Sequence, residues 1–386
     1  MKLFVVASML CSLLQAEMFE SFLQKAIENS PYLKASQLQI QQSQEAGAIL
    51  TRYKNPELEV EASYFDLDSA DGEMGFRASY AQPIRLWGVD DQKDALSQAN
   101  TESAKSTYLQ ARAAFVRDLS LQYTTYAQSD LLKKLADEER LLAKTIYEIS
   151  KARYEAGTIS RGIMLQAQVD YKMLLGRVQA LSLIRQRNYY ALLKYAGIEE
   201  ELALETEHTF IAQTHAMQNP ERIVLQNRAK QAQASAKLNS NKVEWMRLMG
   251  EYEKEPDQDI FRFGASIPLA FFNTKTEEKR IATLEASRSE MLVKNLDHQL
   301  RVEKRRLEFE SQNLQILQKM DEDILADEQE LLKMYEEGYK IANINLLALQ
   351  DVKSRLIETK ERLIKIKIER DRNAIIHNYL QGNYND

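Results

Sequence analysis

Two long tracts of the chain, between Pro83 and Pro220 and after Pro268, contain no proline. They are rich in Leu, Ala, Glu, Lys, Gln and Arg, the better helix formers. Their apolar positions recur at helical spacing. Leu135, Leu142 and Ile149 stand seven apart, with Leu132 and Ile146 on the adjoining row. Val293, Leu300, Leu307 and Leu314 form a second seam, which Leu317, Ile324 and Leu331 continue after a three-residue shift. Leu349, Leu356 and Leu363 form a third. Such seams pack helix on helix, in a bundle core or a coiled coil.

Shorter segments change period from helical to two. Leu58, Val60, Ala62 and Tyr64 alternate with Glu57, Glu59, Glu61 and Ser63. Met74, Phe76, Ala78 and Tyr80 alternate with Glu73, Gly75, Arg77 and Ser79, and Phe261, Phe263, Ala265 and Ile267 with Arg262, Gly264 and Ser266. The stretch Val243 to Tyr252 is less regular, because Trp245, Met246, Leu248 and Met249 blur its register. Strict alternation of this kind marks strands with one apolar and one polar face.

These elements come in two copies. Phe76-Arg77 precedes Pro83 as Phe261-Arg262 precedes Pro268, an offset of 261 − 76 = 185 residues. Tyr154-Glu155-Ala156-Gly157 matches Tyr335-Glu336-Glu337-Gly338 at 335 − 154 = 181, and the match runs on through Ile163/Ile344, Leu165/Leu346, Ala167/Ala348 and Asp170/Asp351. Each copy reads as a modest helix, two strands, a very long helix, a glycine break and a medium helix. In the first copy these are about Tyr32–Tyr53, Glu57–Leu67, Glu73–Gln82, Val89–Glu155 and Arg161–Ala196; in the second, about 221–240, 242–252, 259–267, 274–336 and 341–380. The copies occupy 17–197 and 220–386, joined by an acidic linker, 198–219. A helix of some 67 residues spans about 100 Å, and the modest and medium helices end to end nearly match it. The fold class is therefore mainly α with a small β part.

Residues 1–16 read as a secretory signal: Lys2, the apolar run Leu3–Leu14, then Gln15-Ala16, with cleavage expected after Ala16. Cys11, the single cysteine, lies inside it, and Ser8-Met9-Leu10 match a lipidation site poorly. No later run is apolar and long enough for a membrane helix, so contact with a membrane falls to β-structure or to the surface. The strands suit a transmembrane barrel with lipid on one face and a wet lumen on the other; a small soluble hairpin packed on a helix is the simpler alternative. Four strands cannot close such a barrel, whereas three chains supply twelve. The net charge of −6 argues against a nucleic-acid partner. The histidines His208, His215, His298 and His377 are scattered and read as surface residues, with no metal site, no cofactor and no nucleophile–base pair in view.

The chain resembles the TolC family of outer-membrane efflux proteins. The residues that carry the resemblance are Asn29-Ser30-Pro31 with Ala35, Asn55-Pro56, and Tyr80-Ala81-Gln82-Pro83-Ile84 with Trp87-Gly88. Tyr154 to Ser160 followed by Leu165-Gln166-Ala167-Gln168, and Tyr335 to Gly338 followed by Leu346-Leu347-Ala348, complete the set. In detail it is similar to the shorter members associated with heavy-metal and drug exporters. The resemblance implies a homotrimer in the outer membrane of a Gram-negative cell, with a twelve-stranded barrel and a periplasmic α-barrel. It implies a passive duct and no enzyme, joined by a periplasmic adaptor to an inner-membrane pump of the resistance-nodulation-division class. An ABC transporter would be the companion if the chain were instead the outlet of a type I protein secretion system; a secreted coiled-coil scaffold is a further alternative.

By the same resemblance the adaptor docks at the hairpin tips, Ala156-Gly157-Thr158 and Glu337-Gly338-Tyr339, where glycine would allow the reversal. Acidic residues that family members carry six and nine positions after the tip glycine are replaced here by Ile163 and Gln166, and by Ile344 and Leu347. Asp170 and Asp351, with Asn343, Asn345 and Tyr339, are then the candidates for a constriction; a solvated helix face explains the aspartates equally well. Glu59, Glu61, Arg77 and Arg262 are the candidate lumen residues of the barrel, and an acidic lumen would favour cations.

Overall fold

The computed structural model describes residues 18–65, 72–214 and 217–384. The expected signal, with Cys11, and His215 lie outside the described residues. Among the described residues seven helices and four strands follow in the order α1 (Phe19–Asn29), α2 (Pro31–Thr51), β1 (Glu57–Phe65), β2 (Glu73–Arg85), α3 (Val89–Glu155), α4 (Arg161–Ala196), α5 (Pro220–Leu238), β3 (Trp245–Lys254), β4 (Asp259–Ser266), α6 (Thr276–Lys340) and α7 (Leu346–Leu380). Among the described residues no helix is long and apolar enough to cross a membrane. The chain divides into two compact units, one of residues 34–111 and 220–298, the other of residues up to 33, 112–219 and 299–386. Each unit draws on both copies of the repeat.

In the first unit the strands form one antiparallel sheet in the order β1-β2-β3-β4. Each copy supplies one hairpin, and the hairpins join through β2 and β3, from Phe76 opposite Lys254 to Arg85 opposite Trp245. The register resolves β3, which the sequence left blurred. Glu61, Arg77 and Glu253 lie abreast, as do Glu59, Ser79, Glu251 and Arg262. The other face carries Leu58, Val60, Tyr64, Phe76, Tyr80, Tyr252, Phe261 and Phe263. β2 runs three residues past its expected end, through Pro83. Proline is tolerated there because β1 begins opposite Ala81, so Pro83 has a neighbour on one side only.

The sheet meets its helices through Arg85, whose side chain is buried and lies between Tyr53 and Trp245, 4.5 and 4.7 Å from the ring centroids. It donates to Thr51 O and Arg52 O at the C-terminus of α2 (3.0 and 2.7 Å) and pairs with Asp90 at the start of α3. One guanidinium thus satisfies a helix C-terminus and joins it to the carboxylate of a helix N-terminus.

The second unit has a conventional core. α1, which helical seams elsewhere overshadow in the sequence, buries Phe19, Phe22, Leu23 and Ala26, the i, i+3, i+4, i+7 stripe of an amphipathic helix. Ser30 accepts from Leu33 N and Pro31 opens α2, the N-cap and first-turn residues helices prefer. Phe115, Leu119, Tyr123 and Tyr126 of α3, Leu192 and Ala196 of α4, and Ile368 of α7 complete the cluster.

The linker is strapped to this core rather than loose. Tyr123 Oη donates to Glu205 O (2.5 Å), Tyr189 Oη to Leu202 O (2.7 Å), and Thr206 Oγ1 to Asp130 (2.7 Å). Phe210 N donates to Asp371, Gln213 N to Asn378 and Met217 N to Gln381 O. His208, expected at the surface, stacks among Phe19, Tyr123 and Phe210 instead, because the strap turns its ring inward. His377 is half-buried with its ring beside Gln381, and only His298 of the described histidines is exposed.

Burial raises the cost of ionising Asp130, but donors from Thr206, Arg185 and Lys134 outweigh it and hold its carboxyl below the ordinary 3.8. The folded state thus favours the charged form, and the stability it contributes is present above about pH 4 and lost as the pH falls through the lowered value. Asp130→Asn should cost about 1–3 kcal/mol near pH 7 and remove that part of the acid sensitivity. Thermal unfolding of native and variant protein at neutral and at acid pH reads this; equal acid losses in both would discount the strap.

Candidate functional site

Three features bear on function: the exposed sheet, the two helical turns, and the charged side chains proposed as a constriction.

Among the described residues nothing covers the sheet. Leu58, Val60, Met74, Phe261 and Phe263 on its apolar side are 67–87% exposed. Fully burying each such side chain is worth roughly 1.5–3 kcal/mol, so five left in water forgo about 10 kcal/mol. That is comparable to the whole stability of a typical domain. The alternative of a soluble hairpin packed on its own helices is therefore not the one the chain adopts. On the opposite side Arg77 pairs with Glu61, Arg247 with Glu57 (3.2 Å), and Arg262 with both Glu251 and Glu253. Glu59 lies in this row as well. β1 and β4 are the open edges of the four-stranded sheet.

The turns between α3 and α4 and between α6 and α7 are the same motif, though not in the register read from the sequence. In the first turn Ala156 N donates to Ala152 O, Gly157 N to Tyr154 O and Thr158 N to Arg153 O. In the second, Ile341 N donates to Glu337 O, Ala342 N to Tyr339 O and Asn343 N to Gly338 O. Each bond recurs at an offset of 341 − 156 = 185. The caps agree: Ser160 accepts from Ile163 N and Asn345 from Ala348 N. Both are Schellman endings, with the left-handed residue at Gly157 (φ 75°) and at Ala342 (φ 65°).

The sequence match at 181 is thus displaced by one helical turn. It followed a Tyr-x-x-Gly that α6 contains, whereas the reversal is made at Tyr339-x-x-Ala342. Glu337, Gly338 and Tyr339 lie in the last turn of α6, and the counterparts of Ala156-Gly157-Thr158 are Ile341-Ala342-Asn343. Gly338 has no positive φ; a Cβ there would stand 2.7 Å from Ile344 Cδ1, so the glycine lets the Ile344 side chain approach closely.

Tyr339 is buried. Its hydroxyl lies 2.8 Å from Ser150 Oγ, and Arg153 stacks on its ring at 4.8 Å while donating to its carbonyl at 2.9 Å. Around it pack Ile146, Ala167, Leu346 and Leu349. Tyr154, its structural counterpart, is exposed.

The two aspartates are not equivalent either. Asp170 accepts from the buried Lys353 at 2.7 Å, while Asp351 is exposed and pairs with Arg355, one turn along its own helix, at 3.0 Å. Lys353 also faces Glu139 (3.9 Å), which Arg177 contacts at 2.8 Å. Burial, opposed by these two cations, leaves the Glu139 carboxyl above its ordinary value. Asn343 is exposed, and Asn345 is engaged as the cap of α7. Among the described residues no group of three or more His, Cys, Asp or Glu could hold a metal ion.

Solved structures of outer-membrane channels share this fold of a four-stranded antiparallel sheet and long helices. The chain covers 96% of itself and 95% of a CusC structure at a TM-score of 0.77 and 14% identity. For VceC of Vibrio cholerae the figures are 94%, 95%, 0.77 and 13%, and for the CmeC outer-membrane channel of Campylobacter jejuni 94%, 85%, 0.73 and 13%. No curated protein matches it in sequence. Residues 22–197, nearly all of the first copy, match the profile of the family described as outer membrane efflux protein.

Two substitutions test the turn register. Ala342→Gly should raise stability by about 1 kcal/mol, because a left-handed non-glycine residue costs roughly that much, and Gly157→Ala should lower it by a similar amount. Urea unfolding followed by helical circular dichroism measures both. A destabilising Ala342→Gly would refute the assignment of the reversal to Ala342.

Proposed function

We propose that the protein is the outer-membrane exit duct of a tripartite efflux system and acts as a homotrimer. The observation that carries this reading is the sheet: one face is apolar and uncovered, and both edges lack partners. Unpaired edges are not tolerated in lipid. Three copies of a four-stranded sheet give a closed twelve-stranded barrel, with the row of Glu59, Glu61, Arg77 and Arg262 turned to its lumen. Helices of about 100 Å supply the periplasmic tunnel.

The duct is passive. Substrates reach it from an inner-membrane pump of the resistance-nodulation-division class through a periplasmic adaptor, and catalysis belongs to the pump. Heavy-metal ions or drugs are the proposed cargo. The adaptor docks at the turns, on Ala156-Gly157-Thr158 and on Ile341-Ala342-Asn343, with Glu337 beside the second. Asp170 on α4, Asp351 on α7, and Asn343 and Asn345 in the turn before α7 are the proposed lining of the narrow end.

In membranes of the native host the protein should fractionate with the outer membrane as a trimer that dissociates only on heating. A water-soluble monomer would end the channel reading. Thr158→Trp and Asn343→Trp should leave the trimer intact and abolish export, read as loss of resistance to the exported compound. Full resistance in both variants would move the adaptor contact away from the turns.

A further inference from the structure

The two helical hairpins correspond at a single offset. Their turns agree bond for bond, and the caps of α4 and α7, Ser160 and Asn345, agree at 345 − 160 = 185. Their surroundings do not agree. In the first hairpin Thr124, Leu135 and Glu139 of α3 are buried. At the matching places on α6 stand Phe309, Met320 and Ile324, exposed by 67, 55 and 40%. On the returning helices the imbalance is reversed: Ile368 of α7 is buried, while Leu183, its counterpart on α4, is 69% exposed.

The cause lies in what covers α3, which is the chain's own α7. Arg372 donates to Thr124 Oγ1 and Thr125 Oγ1 at 3.4 and 3.3 Å, and Lys353 faces Glu139 at 3.9 Å. Ile368 shares a core cluster with Phe115 and Leu119. The two helices run antiparallel, since higher numbers on α7 meet lower ones on α3. Among the described residues nothing covers α6 at Phe309 or Met320, or α4 at Leu183. These two bare faces are the halves of the contact that α3 and α7 already make.

Charge sets the register. Shifted by 185 residues, Arg372 becomes Arg187, and Thr124 and Thr125 become Phe309 and Glu310. The guanidinium is kept, while its two hydroxyl partners give way to a ring and a carboxylate. Arg187 is exposed, and among the described residues it makes no hydrogen bond or ion pair. On α6, Arg306 is shared between Glu303 and Glu310, two carboxylates to one cation. A second guanidinium balances that site. A cation within about 6 Å of a phenyl face is attracted by the ring's quadrupole, and a carboxylate beside it accepts charge-assisted hydrogen bonds.

We propose that α4 of a second copy lies antiparallel along α6, with Arg187 of the partner subunit clamped by Phe309 and Glu310. This rests on the trimer proposed above, in which the clamp recurs wherever two chains meet. The seams between helical hairpins are then of two kinds. Within a chain, the buried Lys353 meets Glu139. Between chains, Gln168 stands at the place of Lys353 and Ile324 at that of Glu139, so the Arg187 clamp carries the charge instead.

Two differently tagged full-length copies are co-expressed, one carrying Arg187→Cys and the other Glu310→Cys, both with Cys11→Ser, and their membranes are treated with a short bis-maleimide. A dimer band bearing both tags is expected, and its absence overturns the clamp. A second measurement needs no cysteine. Arg187→Glu and Glu310→Arg should each lower the temperature at which trimers dissociate, by about 3 °C or more. The double variant, with the charges exchanged, should recover most of that loss. Losses that simply add in the double variant mean that the two residues act apart, and overturn the clamp as well. Intact trimers that fail either test sink the clamp alone; a chain that never forms trimers sinks the channel reading with it.

Discussion

A hydrogen-bonded sheet cannot end in hydrocarbon, and in the duct proposed above this constraint governs the rest of the molecule. Among the described residues β1 and β4 are each paired on one side only, and in lipid the backbone groups of their open margins would need partners from another chain. The uncovered apolar face sets the solvent and the open edges set the company. In β1, β2 and β4 polar and apolar residues alternate so consistently that neither face can be exchanged for the other without reversing every side chain.

The junction between strands and helices answers a second demand, that a helix terminus not be left unsatisfied beside an apolar surface. Arg85 and Glu244 meet it with charge. Arg85 takes up the carbonyls closing α2, and Glu244 gathers Lys93 and Lys275 from the starts of α3 and α6. Away from the sheet the chain relies on ordinary means, with aromatic and aliphatic packing under a linker whose backbone groups are taken up one by one by Tyr123, Tyr189, Asp371 and Asn378.

Much of this architecture was legible in the sequence, for identifiable reasons. The bounds of α3 and α4 follow from the lack of breakers between Gly88 and Gly157 and from Ser160 and Gly197 at the ends of α4. The sheet could be read because alternation is strict in β1, β2 and β4; β3 needed its neighbours, since Trp245, Met246, Leu248 and Met249 put apolar groups on both faces. α1 escaped notice because its eleven residues are too few for a repeating seam. The turn between α6 and α7 was misplaced because glycine is a good marker of a reversal only where reversal requires it, and Gly338 serves a close contact instead. Of the proposed constriction, the sequence showed carboxylates but could not show that Lys353 is buried against Asp170, since that pairing joins residues 183 positions apart.

The second reversal keeps five hydrogen bonds of the first while substituting alanine for the residue best suited to it. The two halves thus share the shape of the turn without sharing its glycine. The posture at Ala342 is held by the bonds of Tyr339, Gly338 and Asn345 around it, and a comparison of the halves that weighs glycines most heavily places it one coil too early.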